Sequence, residues 1–235
     1  MKKNLFLVCL FMFGTLASCQ CSSKKSADNA VVNTTETPVP LGDPFILLHD
    51  GVYYAYGTHS NKGIEFYTSD DLLTWKYGGL ALNKEDSWAD RWFWAPEIYF
   101  VNGKFYTYYS ADEHICVAVA DSPTGPFVQD KKEPMIADEK CIDNSLFIDD
   151  NGTPYLSFVR CKDGNNIWIA ELEKDLITIK KETMHPCLHV TQEWEKVWPR
   201  VNEGSYILKH NGIYYMSYSA NSYESPFYGV GCATA

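Results

Sequence analysis

One pattern of apolar and polar positions recurs four times along the chain. Each copy runs from a leading residue through an apolar stretch to a turn glycine eight or nine residues later. After each glycine comes an aromatic segment of the kind that is typical of a β-strand. The four copies occupy residues 43–51, 95–103, 143–152 and 203–212.

The spacing of these copies predicts the fold class. The turn glycines lie at positions 51, 103, 152 and 212, at intervals of 52, 49 and 60 residues. Short strands repeated about every 50 residues are typical of β-propellers, in which each blade has four strands. In the first unit we predict strands at residues 45–49, 52–57, 63–69 and 75–78. No stretch has the pattern of a long helix, so we predict an all-β propeller over residues 41–235.

The fourth unit is predicted to be incomplete. Its third strand, residues 228–235, ends the sequence before a turn and an outer strand. The pattern therefore predicts about four blades, the fourth of them incomplete, and it indicates a fragment or a shortened gene product. An open ring exposes strand edges, so we expect the fold to be marginally stable.

Composition and charge narrow the class of ligand. Thirty acidic residues against 20 basic ones give a formal charge of −10. Such a surface repels nucleic acid, which we therefore exclude as a partner. The same negative charge favours a neutral substrate, and aromatic residues, which make up 15% of the chain, suit stacking on flat ligands.

The N-terminus has the pattern of an export signal. Two lysines precede an apolar run that is too short to span a bilayer, and the run ends in Leu16-Ala17-Ser18-Cys19, which resembles a bacterial lipobox. We predict a signal peptide at residues 1–18, lipidation of Cys19 and a flexible tether at residues 19–40. The alternative is an ordinary secretory signal with a chance cysteine. If Cys19 is lipidated, the lipid anchors the globular part to a membrane, on the periplasmic side or at the cell surface.

The cysteines give no sign of a metal site. Among the eight, no two have C-x-x-C spacing, so we predict no zinc or other metal centre. A disulfide between Cys141 and Cys161, or between Cys161 and Cys187, is one alternative. Unpaired buried thiols are the other.

Carboxylates lead three of the four copies. These are Asp43, Asp143 and Glu203, whereas Ala95 leads the second copy. We expect the four leading residues to hold equivalent positions, so that three acids converge near the propeller axis. Hydrolysis of a glycosidic bond needs a proton donor and a second carboxylate on the opposite face. A third carboxylate can raise the donor's pKa by like-charge repulsion. Asp-Pro and Asp-Asn are also common in turns, which is the structural alternative for each aspartate taken alone.

Four motifs together resemble glycoside hydrolase family 43 over residues 41–235. They are Gly42-Asp43-Pro44, Trp94-Ala95-Pro96-Glu97, Ile142-Asp143-Asn144 and Asn202-Glu203-Gly204. The resemblance implies a five-bladed propeller that hydrolyses arabinose- and xylose-containing glycans with inversion. It implies that Asp43 is the general base, Glu203 the general acid and Asp143 the residue that tunes and orients the acid. The substrate-binding residues that it implies are Trp94, Phe45 and Trp198.

The same resemblance carries expectations about geometry and partners. An inverting pair would hold the carboxyl groups of Asp43 and Glu203 roughly 6.5–9.5 Å apart. The family's fifth blade, with a histidine near the axis and a sugar-contacting arginine, has no counterpart in this sequence. We expect a monomer with a carbohydrate partner and no required cofactor, and the family fold leaves room for a structural calcium ion in its channel.

The activity that we expect is that of an α-L-arabinofuranosidase or a β-xylosidase. Retaining fructan-cleaving propellers also use three acids, but their signatures differ from Leu41-Gly42-Asp43-Pro44 and Cys141-Ile142-Asp143-Asn144. An alternative from a different class is a surface glycan-binding lipoprotein, or an inactive remnant that kept the channel.

Overall fold

The computed structural model describes residues 38–198 and 200–235. The predicted signal peptide, Cys19 and the tether up to residue 37 lie outside the described residues. Within the described part, helix is limited to three short 3-10 turns, at Lys84–Asp86, Lys181–Thr183 and Glu193–Lys196. No helix there is long and apolar enough to cross a membrane.

Fourteen strands form four antiparallel sheets, which we call blades one to four in chain order. Blade one contains β1 (Gly42–His49), β2 (Val52–Thr58), β3 (Gly63–Ser69) and β4 (Lys76–Asn83). Blade two contains β5 (Trp94–Val101), β6 (Lys104–Ala111) and β7 (His114–Ala120). Blade three contains β8 (Cys141–Ile148), β9 (Pro154–Cys161), β10 (Asn165–Glu171) and β11 (His185–Leu188). Blade four contains β12 (Asn202–His210), β13 (Ile213–Ala220) and β14 (Gly229–Thr234).

The prediction of an all-β propeller is confirmed. Consecutive strands pair in every blade, and the inner strands β1, β5, β8 and β12 contact one another in chain order. The prediction of four strands is wrong for blade two, which has three. Its outer segment makes only an isolated bridge between Val119 and Val128. Pro123 and Pro126 lie in this segment, and proline has no N–H for a longer ladder.

The core lies between neighbouring blades, and aromatic strand residues fill it. Tyr56 and Phe105 belong to the cluster between blades one and two, and Tyr108 and Phe158 to the cluster between blades two and three. Two of the buried tyrosine hydroxyls have partners, since Tyr56 donates to the Pro123 carbonyl at 2.5 Å and Tyr108 donates to the Leu176 carbonyl at 2.6 Å. The aromatic segments after each turn glycine therefore hold the blades together.

Every inner strand carries a β-bulge near its start. In blade one Gly42 faces Thr58 while Phe45 faces Tyr56, so two residues lie opposite one. The register shifts at the same point in the other blades, between Trp94 and Glu97, Ile142 and Ser145, and Glu203 and Tyr206. The first bulge residue has a left-handed backbone in all four blades, with φ of 45° at Asp43, 42° at Ala95, 56° at Asp143 and 57° at Gly204.

This register corrects the expected equivalence of the leading residues. Asp43, Ala95 and Asp143 are equivalent to one another, but their counterpart in blade four is Gly204, so Glu203 lies one position earlier. The left-handed region favours Gly, Asn and Asp, and a glutamate there would be strained. Counting to the turn glycine was misleading because the turn of blade three is one residue longer: the Asp149 N–H donates to the Thr153 carbonyl around three residues, whereas His49 and Val52 of blade one enclose two.

Candidate active site

A cleft of about 800 Å³ opens where the four bulges meet. Five of the six predicted catalytic and binding residues line it, namely Asp43, Phe45, Trp94, Asp143 and Glu203. Trp198 is not among the lining residues, and it is 59% exposed. The inner-strand bulges thus bring together residues that are up to 160 positions apart in the sequence.

A second cavity of about 370 Å³ lies between blades three and four. Aromatic and aliphatic side chains such as Phe147 and Tyr155 form most of its wall. Its carboxylate, Asp149, is already ion-paired with Lys209 at 2.7 Å. Because it offers no pair of free acids, we place the candidate active site in the larger cleft.

The carboxylate of Asp43 is oriented from its own blade. Thr58 lies opposite the bulge on β2, and its hydroxyl donates a hydrogen bond to Asp43 Oδ2 at 2.6 Å. The same hydroxyl accepts a hydrogen bond from the backbone N–H of Ala95 at 2.9 Å. Thr58 therefore ties the left-handed residue of blade two to the carboxylate of blade one. Asp43 itself is exposed to the cleft, where water can reach it.

Asp143 lies at the equivalent bulge of blade three. Its backbone N–H donates to the Ser110 hydroxyl at 3.0 Å, and its Oδ2 accepts a hydrogen bond from the Gly204 N–H at 3.2 Å. Burial, together with the negative charges of Glu203 and Asp43, raises the pKa of Asp143 to about 8. The hydrogen bond to Gly204 fixes the residue that directly follows Glu203, so Asp143 positions the strand that carries the predicted acid.

Glu203 has two hydrogen-bond donors from different elements. Asn165 Nδ2 donates to Oε2 at 3.1 Å, and the Tyr228 hydroxyl donates to Oε1 at 3.1 Å. Burial raises the pKa of Glu203, and the charge of Asp43 adds to the effect. A carboxyl group that keeps its proton to higher pH suits the role of general acid.

Glu97 is a fourth carboxylate in the cleft, and sequence reasoning gave it no role. It lies at the residue that follows the bulge of blade two, and the Tyr99 hydroxyl donates to its Oε2. The same hydroxyl also contacts Ser145 Oγ at 3.2 Å. Burial raises the pKa of Glu97 to about 7. The signal in the sequence was its place two residues after Ala95 in the Trp-Ala-Pro-Glu motif.

The segment 222–228 forms another part of the cleft wall, and Asn221 holds it in place. The buried Asn221 side chain accepts hydrogen bonds from the N–H groups of Val197 and Trp198 at 3.1 and 3.2 Å. It donates to the carbonyls of Trp194 and Phe227 at 2.8 and 2.9 Å. This amide satisfies four backbone groups, and the sequence gave no sign of it because its partners are distant in the chain.

Replacing Asn221 by alanine should lower the free energy of unfolding by about 3 kcal/mol or more, since each lost hydrogen bond contributes about 1 kcal/mol. Urea unfolding measures the change. Asn211→Ala is the matched control, because Asn211 has a similar left-handed backbone (φ 50° against 69°) but an exposed side chain. Equal losses in the two variants would mean that the backbone conformation, and not the hydrogen bonds, explains the effect.

The raised pKa of Asp143 predicts a pH-dependent stability. Folding raises this pKa from 3.8 to about 8, so charging Asp143 favours the unfolded chain. The free energy of unfolding should therefore fall as pH rises from about 4 to about 8. Asp143→Asn removes the charge and should make this fall shallower, with the remainder due to Glu97 and Glu203. Urea unfolding at pH 5 and pH 8 tests this, and an unchanged difference between the two pH values would contradict it.

The structure also bears on the predictions about disulfides and metal ions. Within the described part, Cys116 and Cys141 are free and buried, as the alternative of unpaired buried thiols predicted, whereas Cys161, Cys187 and Cys232 are free but exposed. No group of three or more His, Cys, Asp or Glu side chains in that part is arranged to hold a metal ion.

The fold and the cleft define a β-propeller with four carboxylates around one site, an arrangement suited to acid–base chemistry. The chain belongs to glycosyl hydrolases family 43, whose sequence model matches residues 35–235. This confirms the family that the four motifs indicated.

Several proteins of known activity or structure are similar to this chain. A xylosidase/arabinosidase 43A from Humicola insolens is 30% identical, over 78% of this chain and 73% of that protein. A β-D-galactofuranosidase from Aspergillus niger is 29% identical, over 82% of this chain and 60% of that protein. The crystal structure of an endo-1,4-β-xylanase from Bacteroides thetaiotaomicron is 50% identical with a TM-score of 0.81, over 83% of this chain and 69% of that chain. The chain thus spans between about three fifths and three quarters of the length of these relatives.

Proposed function

We propose that this chain is the acid–base unit of a glycosidase that cleaves arabinose- or xylose-containing plant glycans with inversion at the anomeric carbon. The observation that supports it is the convergence of Asp43, Asp143 and Glu203, from three blades, on one cleft with the Trp94 ring in its wall. Indole rings stack well on the apolar faces of sugars, so the cleft offers both a binding wall and a pair of carboxylates.

In the proposed mechanism Glu203 begins the reaction protonated and donates its proton to the glycosidic oxygen. The bond between that oxygen and the anomeric carbon breaks, and the leaving sugar departs as an alcohol. Asp43, ionised and held by Thr58, accepts a proton from a water molecule whose oxygen attacks the anomeric carbon from the opposite face. Exchange with solvent then returns a proton to Glu203 and removes one from Asp43.

Asp143 acts on the acid and not on the sugar in this proposal. Its hydrogen bond to the Gly204 N–H holds the backbone beside Glu203. Its negative charge, when present, makes loss of the proton from Glu203 less favourable. Asn165 and Tyr228 hold the two oxygens of Glu203, which fixes the direction in which the proton is delivered.

Within this substrate class we propose the activity of an α-L-arabinofuranosidase or a β-xylosidase. The Humicola insolens relative, named a xylosidase/arabinosidase, supports this choice. The xylanase and galactofuranosidase names of the other two relatives define the competing activities.

Hydrolysis of 4-nitrophenyl α-L-arabinofuranoside, 4-nitrophenyl β-D-xyloside and the matching oligosaccharides by the full chain tests the proposal. Proton NMR of the first-formed sugar distinguishes inversion from retention. The double variant Asp43→Asn/Glu203→Gln controls for contaminating glycosidases. No turnover by the parent chain, or retention of configuration, would contradict the proposal. Saturable sugar binding without product would instead favour the glycan-binding alternative.

We also propose that the chain is a monomeric lipoprotein anchored through Cys19, on the strength of the lipobox-like motif. Labelled palmitate should enter the protein in an expressing bacterium and should be lost in Cys19→Ser. Cys21→Ser is the matched control, because it removes a neighbouring thiol from the same segment. Label retained in Cys19→Ser would overturn the anchor at Cys19. A dimer by light scattering would overturn the monomeric state.

A further inference from the structure

We propose that Arg91 and Trp92 are positioning residues that fix the ring of Trp94 as a wall of the cleft. The functional half of this inference, that the wall binds a sugar, rests on the proposed function. The structural half, that Trp94 is held by its two neighbours, stands on the geometry alone.

The backbone at Trp92 is unusual. Its φ is 57°, in the left-handed region that bulky residues rarely enter. The next residue, Phe93, is buried and stacks on Tyr109 with ring centroids 6.2 Å apart, which anchors the segment. Trp92 is 38% exposed, so burial of its ring in the core does not explain the conformation. A strained conformation of this kind persists where other contacts impose it.

The contacts of the Trp92 ring supply that explanation. The rings of Trp92 and Trp94 stack with centroids 5.7 Å apart and an interplanar angle of 13°. The guanidinium carbon of Arg91 lies 4.2 Å from the centroid of the Trp92 ring. Trp94 lines the cleft whereas Arg91 and Trp92 do not. The order of the stack is therefore Arg91, Trp92, Trp94 and then the cleft.

Arg91 is itself fixed by the turn between β6 and β7. Its Nε donates to Asp112 Oδ1 at 2.8 Å and its Nη2 lies 2.7 Å from the same oxygen. In return the Asp112 N–H donates to the Arg91 carbonyl at 3.1 Å. A side chain held at both its head and its backbone can keep a ring in place with little loss of conformational freedom on ligand binding.

The bulge register shows that Trp94 and Glu203 occupy equivalent positions in their blades. Trp94 is the blade-two counterpart of Glu203, since both come directly before the left-handed residue of their bulge. Glu203 is held by Asn165 and Tyr228, and the Arg91–Trp92 pair is the corresponding support for Trp94. The acid and the ring therefore enter the cleft from matching positions, each held by neighbouring side chains.

Fluorine NMR of the full chain labelled with 6-fluorotryptophan tests the structural half without any sugar. Trp94→Phe identifies the Trp94 signal. In Trp92→Ala and Arg91→Gln this signal should shift and broaden, and Trp92→Phe should restore most of its position. Arg160→Gln is the matched control, because Arg160 lies 4.1 Å over the Trp168 ring and pairs with Glu139, yet neither Arg160 nor Trp168 lines the cleft. An unchanged Trp94 signal in Trp92→Ala would overturn the inference.

Steady-state kinetics and sugar titration test the functional half. Trp92→Ala should raise KM, or the Kd of the sugar, about tenfold, as expected for loss of one aromatic contact, with kcat little changed. A shifted Trp94 signal with unchanged KM and Kd would overturn the sugar-binding role. If the parent chain neither binds nor cleaves any of the glycans, the proposed function fails, while the fluorine signals still decide whether Trp92 positions Trp94.

Discussion

Glu203→Gln should reduce kcat/KM on unactivated arabino- or xylo-oligosaccharides about 1,000-fold, the range expected for loss of a general acid. Glutamine keeps the size of the side chain, its oxygen can accept from Asn165 and its NH2 group can donate to the Tyr228 hydroxyl, but it has no acidic proton to give. A 4-nitrophenyl leaving group departs as a weak base and needs little protonation. The loss on 4-nitrophenyl glycosides should therefore be much smaller than on oligosaccharides.

The pH profile gives a second signature of the same variant. Activity of the parent chain should fall on the alkaline side as Glu203 loses the proton that its raised pKa retains. In Glu203→Gln this alkaline fall should disappear from the residual activity. Glu193→Gln, which removes a charge from an exposed side chain, is the control. Equal losses on both substrate types would contradict the assignment of Glu203 as the acid.

The repeat predicted the fold because strand pattern and turn glycines are local properties. Hairpin residues such as Gly51 and Gly103 have left-handed backbones, and glycine at a turn position indicates such a backbone directly from the sequence. The same local logic placed Asp43 and Asp143 correctly, since each occupies a position that tolerates a left-handed backbone. It misplaced Glu203 by one residue, because the longer turn of blade three made nine residues, as well as eight, an acceptable distance from the leading residue to the turn glycine.

The parts of the site that the sequence did not predict depend on contacts between distant segments. Tyr228 reaches Glu203 across 25 residues, and Asn165 reaches it across 38. Glu97 joins the cleft because the blade-two bulge turns its side chain toward Tyr99 and Ser145. No periodic pattern marks such residues. By contrast, Trp198 has an aromatic side chain suited to binding a sugar but does not line the cleft.

The bulges give the four carboxylates different properties from similar starting points. Asp43 stays exposed, whereas Asp143 is enclosed by blades two and four, which raises its pKa to about 8. Glu203, one position earlier, meets hydrogen-bond donors from blade three and from the loop before β14. One repeated backbone feature can thus supply a base, a tuning residue and an acid, because the environment of each position differs.

Asp43→Asn tests the opposite half of the proposed mechanism. Asparagine keeps the hydrogen bond with Thr58 but cannot accept a proton from water, so kcat/KM should fall about 1,000-fold. In contrast to Glu203→Gln, the loss should be similar for oligosaccharides and for 4-nitrophenyl glycosides. An activated leaving group does not replace the base that prepares the nucleophile.

Asp50→Asn is the matched control for this variant. Asp50 belongs to the same hairpin and has almost the same backbone conformation, with φ of 48° against 45° for Asp43, but its side chain is 91% exposed. Asp50→Asn should keep the activity of the parent chain, and urea unfolding should show both variants folded. Activity of Asp43→Asn within a few-fold of the parent chain would exclude Asp43 as the base. A loss confined to oligosaccharides would instead give Asp43 the role of proton donor and require the roles of the two carboxylates to be exchanged.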